Sequence, residues 1–364
     1  MTAALMIGAA PSANAQTPAP AQAPAVAPTG PSINLGAVIF YDYTFVLAPD
    51  TADAAGQEIH ANGFNVTRTY VNVTGRISPL IAFRITPDIA RMLNSGSSTD
   101  GSMTFRLKYG YAQFDLDQFT GDWTGTWVRA GMQQTPFIES EETVYRYRFQ
   151  GTLFAERDAG LYSADLGVAA HTTLPGGYGD ALVGIYNGEG YAKPEANDQK
   201  ALMVRATLRP LPDPSSAWSG LRLTAYVHRD HVMRNAERHR FIGAAWFEHA
   251  WFNAGVDYLT RDDRATPDGD LVESDGYSFF VTPFLETKGD GFEVLLRYDS
   301  VRYDTTRPST RQNRTIAGLA YWMPGIGSRA TAALMLDVEQ VRYRNDTKSR
   351  PTDRRLFVHG LITF

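Results

Sequence analysis

The side chains able to do chemistry in this sequence are arginines that recur at even spacing on segments with strand character. Arg68, Arg76, Arg84, Arg106, Lys108 and Arg129 fall on one face of four successive segments, and Arg205, Arg209, Arg222, Arg297 and Arg355 fall on the corresponding face of later ones. The acids predicted on that face are fewer: Asp257, Glu293, Asp299, Asp337 and Glu339. A planar guanidinium donates two parallel hydrogen bonds to a carboxylate or phosphate, so such a face suits the recognition of oxyanions. The same arginines could equally solvate a wet interior and pair across it, with no preference for any solute.

Enzyme chemistry finds no support. There is no GxSxG, no phosphate-cradling glycine loop and no convincing Ser/His/Asp grouping. No cofactor is implied. Zero cysteines remove disulfides and thiolate metal sites, and a net charge of -5 gives no basic footprint for nucleic acid. His228, His231 and His239 in "HRDHVMRNAERHR" have no zinc spacing and read as a polar loop. Asp268, Asp270, Glu273 and Asp275 in "PDGDLVESDG" lack the glycine and bidentate glutamate of a calcium loop, leaving at most a divalent bridge to lipopolysaccharide.

The elements that must carry the arginines are strands. Sixteen segments of the length a tilted membrane-crossing strand needs begin near Ile33, Phe64, Ile81, Met103, Trp127, Gly160, Gly179, Gln199, Leu221, Arg240, Trp251, Tyr277, Gly291, Arg314, Thr331 and Arg354. In "LRLTAYVHR" the apolar Leu221, Leu223, Ala225 and Val227 alternate with Arg222, Thr224, Tyr226 and His228. The final "RRLFVHGLITF" does the same, with Leu356, Val358, Gly360, Ile362 and Phe364 forming a row without charge. Connections alternate between short turns such as 78–80, 175–178, 248–250 and 288–290 and longer polar loops at 48–62, 92–102, 134–158, 187–198, 229–239, 261–276, 301–313 and 343–353.

This pattern predicts an all-β fold, a transmembrane antiparallel barrel of sixteen strands with short periplasmic turns and long extracellular loops, over residues 33–364. Apolar rows would face lipid, and Tyr109, Tyr111, Trp251, Phe252, Tyr258, Tyr277, Tyr298, Tyr321 and Trp322 would form interfacial belts. The parity change in "MTFRLKYGYAQFDLD" is read as a bulge between Tyr111 and Ala112, and the tenth and fourteenth segments allow either parity. Phe364 is expected to close the barrel as an aromatic C-terminus of the kind membrane insertion uses. Before the barrel, residues 1–15 read as a signal peptide without its basic n-region and 16–32 as an Ala/Pro-rich linker; export without a membrane-crossing helix leaves periplasm, outer membrane or secretion, and the expected barrel selects the bacterial outer membrane.

The longest connection, 134–158, is too amphipathic for a solvated tip: Glu139, Glu141 and Glu142 are followed by Tyr145, Arg146, Tyr147 and Arg148. A sixteen-stranded barrel is wide enough for an aqueous channel, so this third loop is expected to fold inward, its acids meeting the arginine wall and its cations helping to line a constriction. An extracellular cap is the alternative.

The stretches "TRTYVNVTGRISPLIAFRITPDIA", "YAQFDLDQFTGDWTGTWVRAGMQQTPFIESEE", "GTLFAERDAGLYSADLGVAA" and "GIYNGEGYAKPEANDQKALMVRATLRP" resemble the phosphate-selective porin O/P family of outer-membrane channels. The resemblance covers most of 64–210 and, more loosely, the remainder. It implies a trimeric porin whose third loop narrows the pore, with Arg68, Arg84, Arg106, Arg129 and Arg205 as constriction candidates. Lysine ladders typical of the phosphate channels are missing, since the lysines are only Lys108, Lys193, Lys200, Lys288 and Lys348. The expected role is passive passage of small anionic or polar solutes through a homotrimer seated in lipid and lipopolysaccharide. A surface receptor or adhesion barrel with a plugged lumen, and a soluble exported β-protein that binds glycans, are the alternatives.

Overall fold

The computed structural model describes residues 31–92, 96–324, 330–344 and 350–364. The signal-peptide and linker assignments fall almost wholly outside the described residues.

Sixteen strands run β1 Ser32–Ala48, β2 Asn62–Arg76, β3 Ile81–Arg91, β4 Met103–Asp115, β5 Trp127–Gln134, β6 Ala164–Thr173, β7 Gly179–Tyr186 and β8 Ala201–Leu208. They continue as β9 Leu221–Arg229, β10 Ala236–Glu248, β11 Phe252–Arg264, β12 Leu271–Pro283, β13 Gly291–Arg302, β14 Arg311–Trp322, β15 Thr331–Tyr343 and β16 Asp353–Thr363. Each pairs antiparallel with its sequence neighbours, and β1 pairs with both β2 (Phe40↔Arg68) and β16 (Tyr43↔Val358), so the sheet closes. Closure removes every unpaired edge, the condition for a strand structure to sit in lipid. The barrel starts at Ser32, one residue before the expected boundary.

Alternation works as predicted. On β8, Leu202, Val204 and Leu208 are exposed while Met203, Arg205 and Thr207 are buried. Val168, Ile185 and Leu336 are 54%, 58% and 53% exposed on the outer wall, a surface that would be a liability in water and is the solvent-matched one in hydrocarbon. Phe364 is exposed, and its backbone exchanges hydrogen bonds with Ala37 across the closing seam.

Four details depart from the sequence reading. The bulge in β4 lies at Lys108, where Thr86 pairs with Tyr109 and Pro87 with Leu107. Pro87 cannot donate to the ladder, so the irregularity falls beside it rather than at Tyr111. Its consequence is that Lys108 and Tyr109 are both buried and face inward, and Tyr109 leaves the aromatic belt; Tyr111, under the Arg129 guanidinium, and the buried Trp322 are also inside. Loops 230–235 and 265–270 are shorter than expected because β10 and β12 begin earlier and β11 runs on to Arg264, while the turn-side connection 209–220 is a long one, as expected after Pro210.

The fourth departure is the interior. The strands β9 to β15 do not present a purely polar inner face: Tyr226, Ile242, Trp246, Leu259, Phe280, Leu295, Ile316 and Met335 are buried there. Both faces of β10 and β14 are therefore apolar, one toward lipid and one toward the third loop, which explains why their parity is ambiguous in sequence.

Candidate functional site

The connection 135–163 folds into the lumen. It carries two short helices, α1 Pro136–Glu141 and α2 Phe154–Arg157, and buries Phe137, Ile138, Val144, Tyr145, Leu153 and Phe154 almost completely. Phe137 packs on Tyr226 and Trp246, and Tyr145 on Phe280, with ring centroids 5.1–5.5 Å apart. Burial of so many aromatic and aliphatic side chains, each contributing about 1.5–3 kcal/mol, fixes the loop against one half of the wall.

Polar contacts fix it to the same half. Glu293 on β13 is fully buried and accepts from Arg146 Nη2 at 3.0 and 3.1 Å, from the Tyr147 hydroxyl at 2.7 Å and from the Gly289 amide at 2.7 Å. Asp299 on the same strand receives Arg157, and Arg297 donates to Asp299 at 3.0 Å, to the Tyr145 hydroxyl at 3.2 Å and to the Thr152 carbonyl at 3.2 Å. Asn253, Arg240 and Arg261 donate to loop carbonyls of Val144, Ala159 and Asp158. The loop thus uses mainly its cations, on the acidic wall, where the sequence suggested its acids on the arginine wall. Glu139 alone reaches Arg129, at 3.2 Å; Glu142 pairs with Arg148 at 2.8 Å within the loop. Glu141 is buried, and burial together with the neighbouring Asp257 carboxylate holds it well above the usual carboxyl range.

The opposite half, β2 to β4, keeps the predicted cations together. Arg68 Nη1 lies 2.6 Å and Arg106 3.0 Å from one oxygen of Asp88, a fully buried carboxylate that the sequence reading did not single out. Their side chains remain 31% and 36% exposed, so they face the accessible remainder of the lumen. Arg84 donates to Asn72 at 2.8 Å and lies 4.4 Å over the Tyr109 ring; Lys108 Nζ lies 3.1 Å from the Tyr70 hydroxyl and 4.4 Å over its ring. Two of the four cations, Arg68 and Arg106, thus share the Asp88 carboxylate, while Arg84 and Lys108 are held by Asn72, Tyr70 and the Tyr109 ring.

The remaining predicted residues lie apart from this cluster. Arg129 is clasped between Trp127, 3.9 Å away, and Tyr111, 4.5 Å away, and Arg205 pairs with Asp180. Both border a cavity of about 400 Å³ on the turn side of the loop, shared with His171, Arg209 and Arg222. Arg297 and Tyr145 are buried beneath the loop and do not border the passage, a correction that follows from Asp299 lying two residues along the same strand face. Arg76 and Arg355 pair with Asp115 and Asp353. The histidine segment resolves into the inward, buried His228 on β9 and a tight hairpin in which the His231 and His239 rings are 5.9 Å apart.

A closed sixteen-stranded barrel with an apolar outer band and a loop folded into its lumen is an outer-membrane barrel of porin type, and its place is the bacterial outer membrane. Among solved structures the chain is similar to the outer membrane channel DcaP of Acinetobacter baumannii, at 12% identity and a TM-score of 0.61, over 92% of this chain and 98% of that one. It is similar to OmpT of Vibrio cholerae, an outer-membrane protein, at 11% identity and 0.61 over the same shares, and to OmpF of Salmonella typhi at 9% and 0.59, again over 92% and 98%. At such identities the likeness is one of fold. No family model matches the chain, and no curated protein matches it.

Proposed function

We propose that the protein is a passive porin that favours small anions, passing them between the third loop and the cationic wall of Arg68, Arg84 and Arg106, with the buried Lys108 adding its charge from behind. One observation carries this reading: the loop's docking consumes Glu293 and Asp299, the two acids of β13, while Arg68 and Arg106 face the accessible lumen around the Asp88 carboxylate. A one-signed patch between low-dielectric walls concentrates counter-charged solutes. The resemblance to phosphate-selective porins puts phosphate among the candidate solutes, although the scarcity of lysine separates this chain from the phosphate channels. A homotrimer is part of the proposal, supported by the trimer form described for OmpT. The apolar packing of the third loop in the lumen favours a second reading, a closed barrel whose loops bind a partner. Purified protein in planar bilayers under a KCl gradient separates the two: stepwise openings with a chloride-selective reversal potential support the porin, and absence of conductance supports the closed barrel.

A further inference from the structure

A second loop also enters the lumen. At its base, Gly188 and Gly190 take positive φ values of 105° and 73°. A Cβ there would come within 2.5 Å of Asp230 Oδ1 and 2.4 Å of the Tyr162 ring, so only glycine lets the chain turn inward in this space. The turn is held by the Asp165 carboxylate, which accepts from the Gly188 amide at 2.8 Å, and by Arg238, which donates to the Gly188 carbonyl at 2.7 Å.

The residue delivered is Tyr191. Its hydroxyl accepts from Arg68 Nη1 at 3.1 Å and donates to Asp88 Oδ2 at 3.2 Å, while its ring lies 4.8 Å from the Arg106 guanidinium carbon. One side chain thus occupies a hydrogen-bonding position on one pore cation and covers a face of another. The backbone beneath it is pinned, and a tyrosine rotamer change is fast, so displacement of the ring requires no loop refolding.

Resting on the anion-porin reading above, we propose that Tyr191 determines specificity in the pore: its hydroxyl holds the Arg68 position that a permeating anion must take, and its ring sets the width beside Arg106. An anion binds by replacing a neutral acceptor with a charged one, which forms a stronger hydrogen bond with the guanidinium. A cation gains nothing by the exchange.

The test compares wild-type protein, Tyr191→Phe and Tyr191→Ala in planar bilayers, with single-channel conductance measured from dilute to concentrated KCl and reversal potentials under a gradient. Removing the hydroxyl takes away one competing hydrogen bond, so Tyr191→Phe is expected to lower the half-saturating KCl concentration about two- to tenfold with maximal conductance unchanged. Tyr191→Ala is expected to do the same and also to raise maximal conductance. A merely structural role would not divide the two variants in this way. If wild type prefers chloride and both variants keep its half-saturation, the Tyr191 proposal is overturned alone; if wild type shows no chloride preference, it falls with the reading it rests on.

Discussion

Replacing Glu293 tests what holds the third loop in the lumen. Its carboxylate is fully buried and accepts from Arg146, Tyr147 and Gly289, while Arg146 is only 17% exposed and lies 4.3 Å over the Trp322 ring. Glu293→Ala leaves Arg146 as a poorly solvated cation facing an aromatic ring, and breaking a buried pair in this way costs about 3–5 kcal/mol. At about 1.4 kcal/mol per decade, the lower figure moves the docked-to-released ratio of the loop by about a hundredfold. Glu293→Gln keeps an acceptor for Tyr147 and Arg146 and gives up the charge, so its cost is about 1–2 kcal/mol. Trypsin cleavage at Arg146, Arg148 and Arg157 in the folded barrel reports the released population when reclosing is faster than cutting. Cleavage is expected to accelerate in the order wild type, Gln, Ala, with more frequent conductance transitions in the same order. Equal cleavage rates in all three proteins would show that the apolar contacts alone hold the loop and would refute the role given to the ion pair.

Two further outcomes follow from the wall. Changing Arg68, Arg84 and Arg106 together to Gln is expected to move the KCl reversal potential toward cation selectivity while the barrel still folds; unchanged selectivity would remove these residues from the site. Leu336→Arg, at a 53% exposed outward position in the middle of β15, is expected to lower stability in lipid by about 2–4 kcal/mol, the cost of an arginine near the bilayer midplane. A loss below about 0.5 kcal/mol, as at an ordinary water-exposed surface, would contradict the lipid-facing assignment.

Much of the barrel is legible in the chain. Strand alternation has a period of two, so the exposure of Leu202, Val204 and Leu208 and the burial of Arg205 can be read without a structure. The inward direction of the basic row on β2 to β4 is legible for the same reason. Asp88 was within reach as well, because it lies an even number of positions from Arg84 on the same strand; Pro87 beside it was the available signal for the bulge at Lys108.

The side chains' partners were not legible. Whether Arg146 meets the arginine wall or Glu293 depends on which way a long loop leans across the lumen, and residues 147 positions apart have no local pattern connecting them. Likewise Arg68 and Tyr191 are 123 positions apart, and their contact depends on two glycines that turn a separate loop inward. By itself the sequence determined a two-faced wall, since backbone geometry alone assigns alternate side chains to opposite sides. Only the closed tertiary structure decided which inner-face residues are sealed beneath the third loop and which stay accessible, because that selection depends on packing across the barrel rather than along the strand.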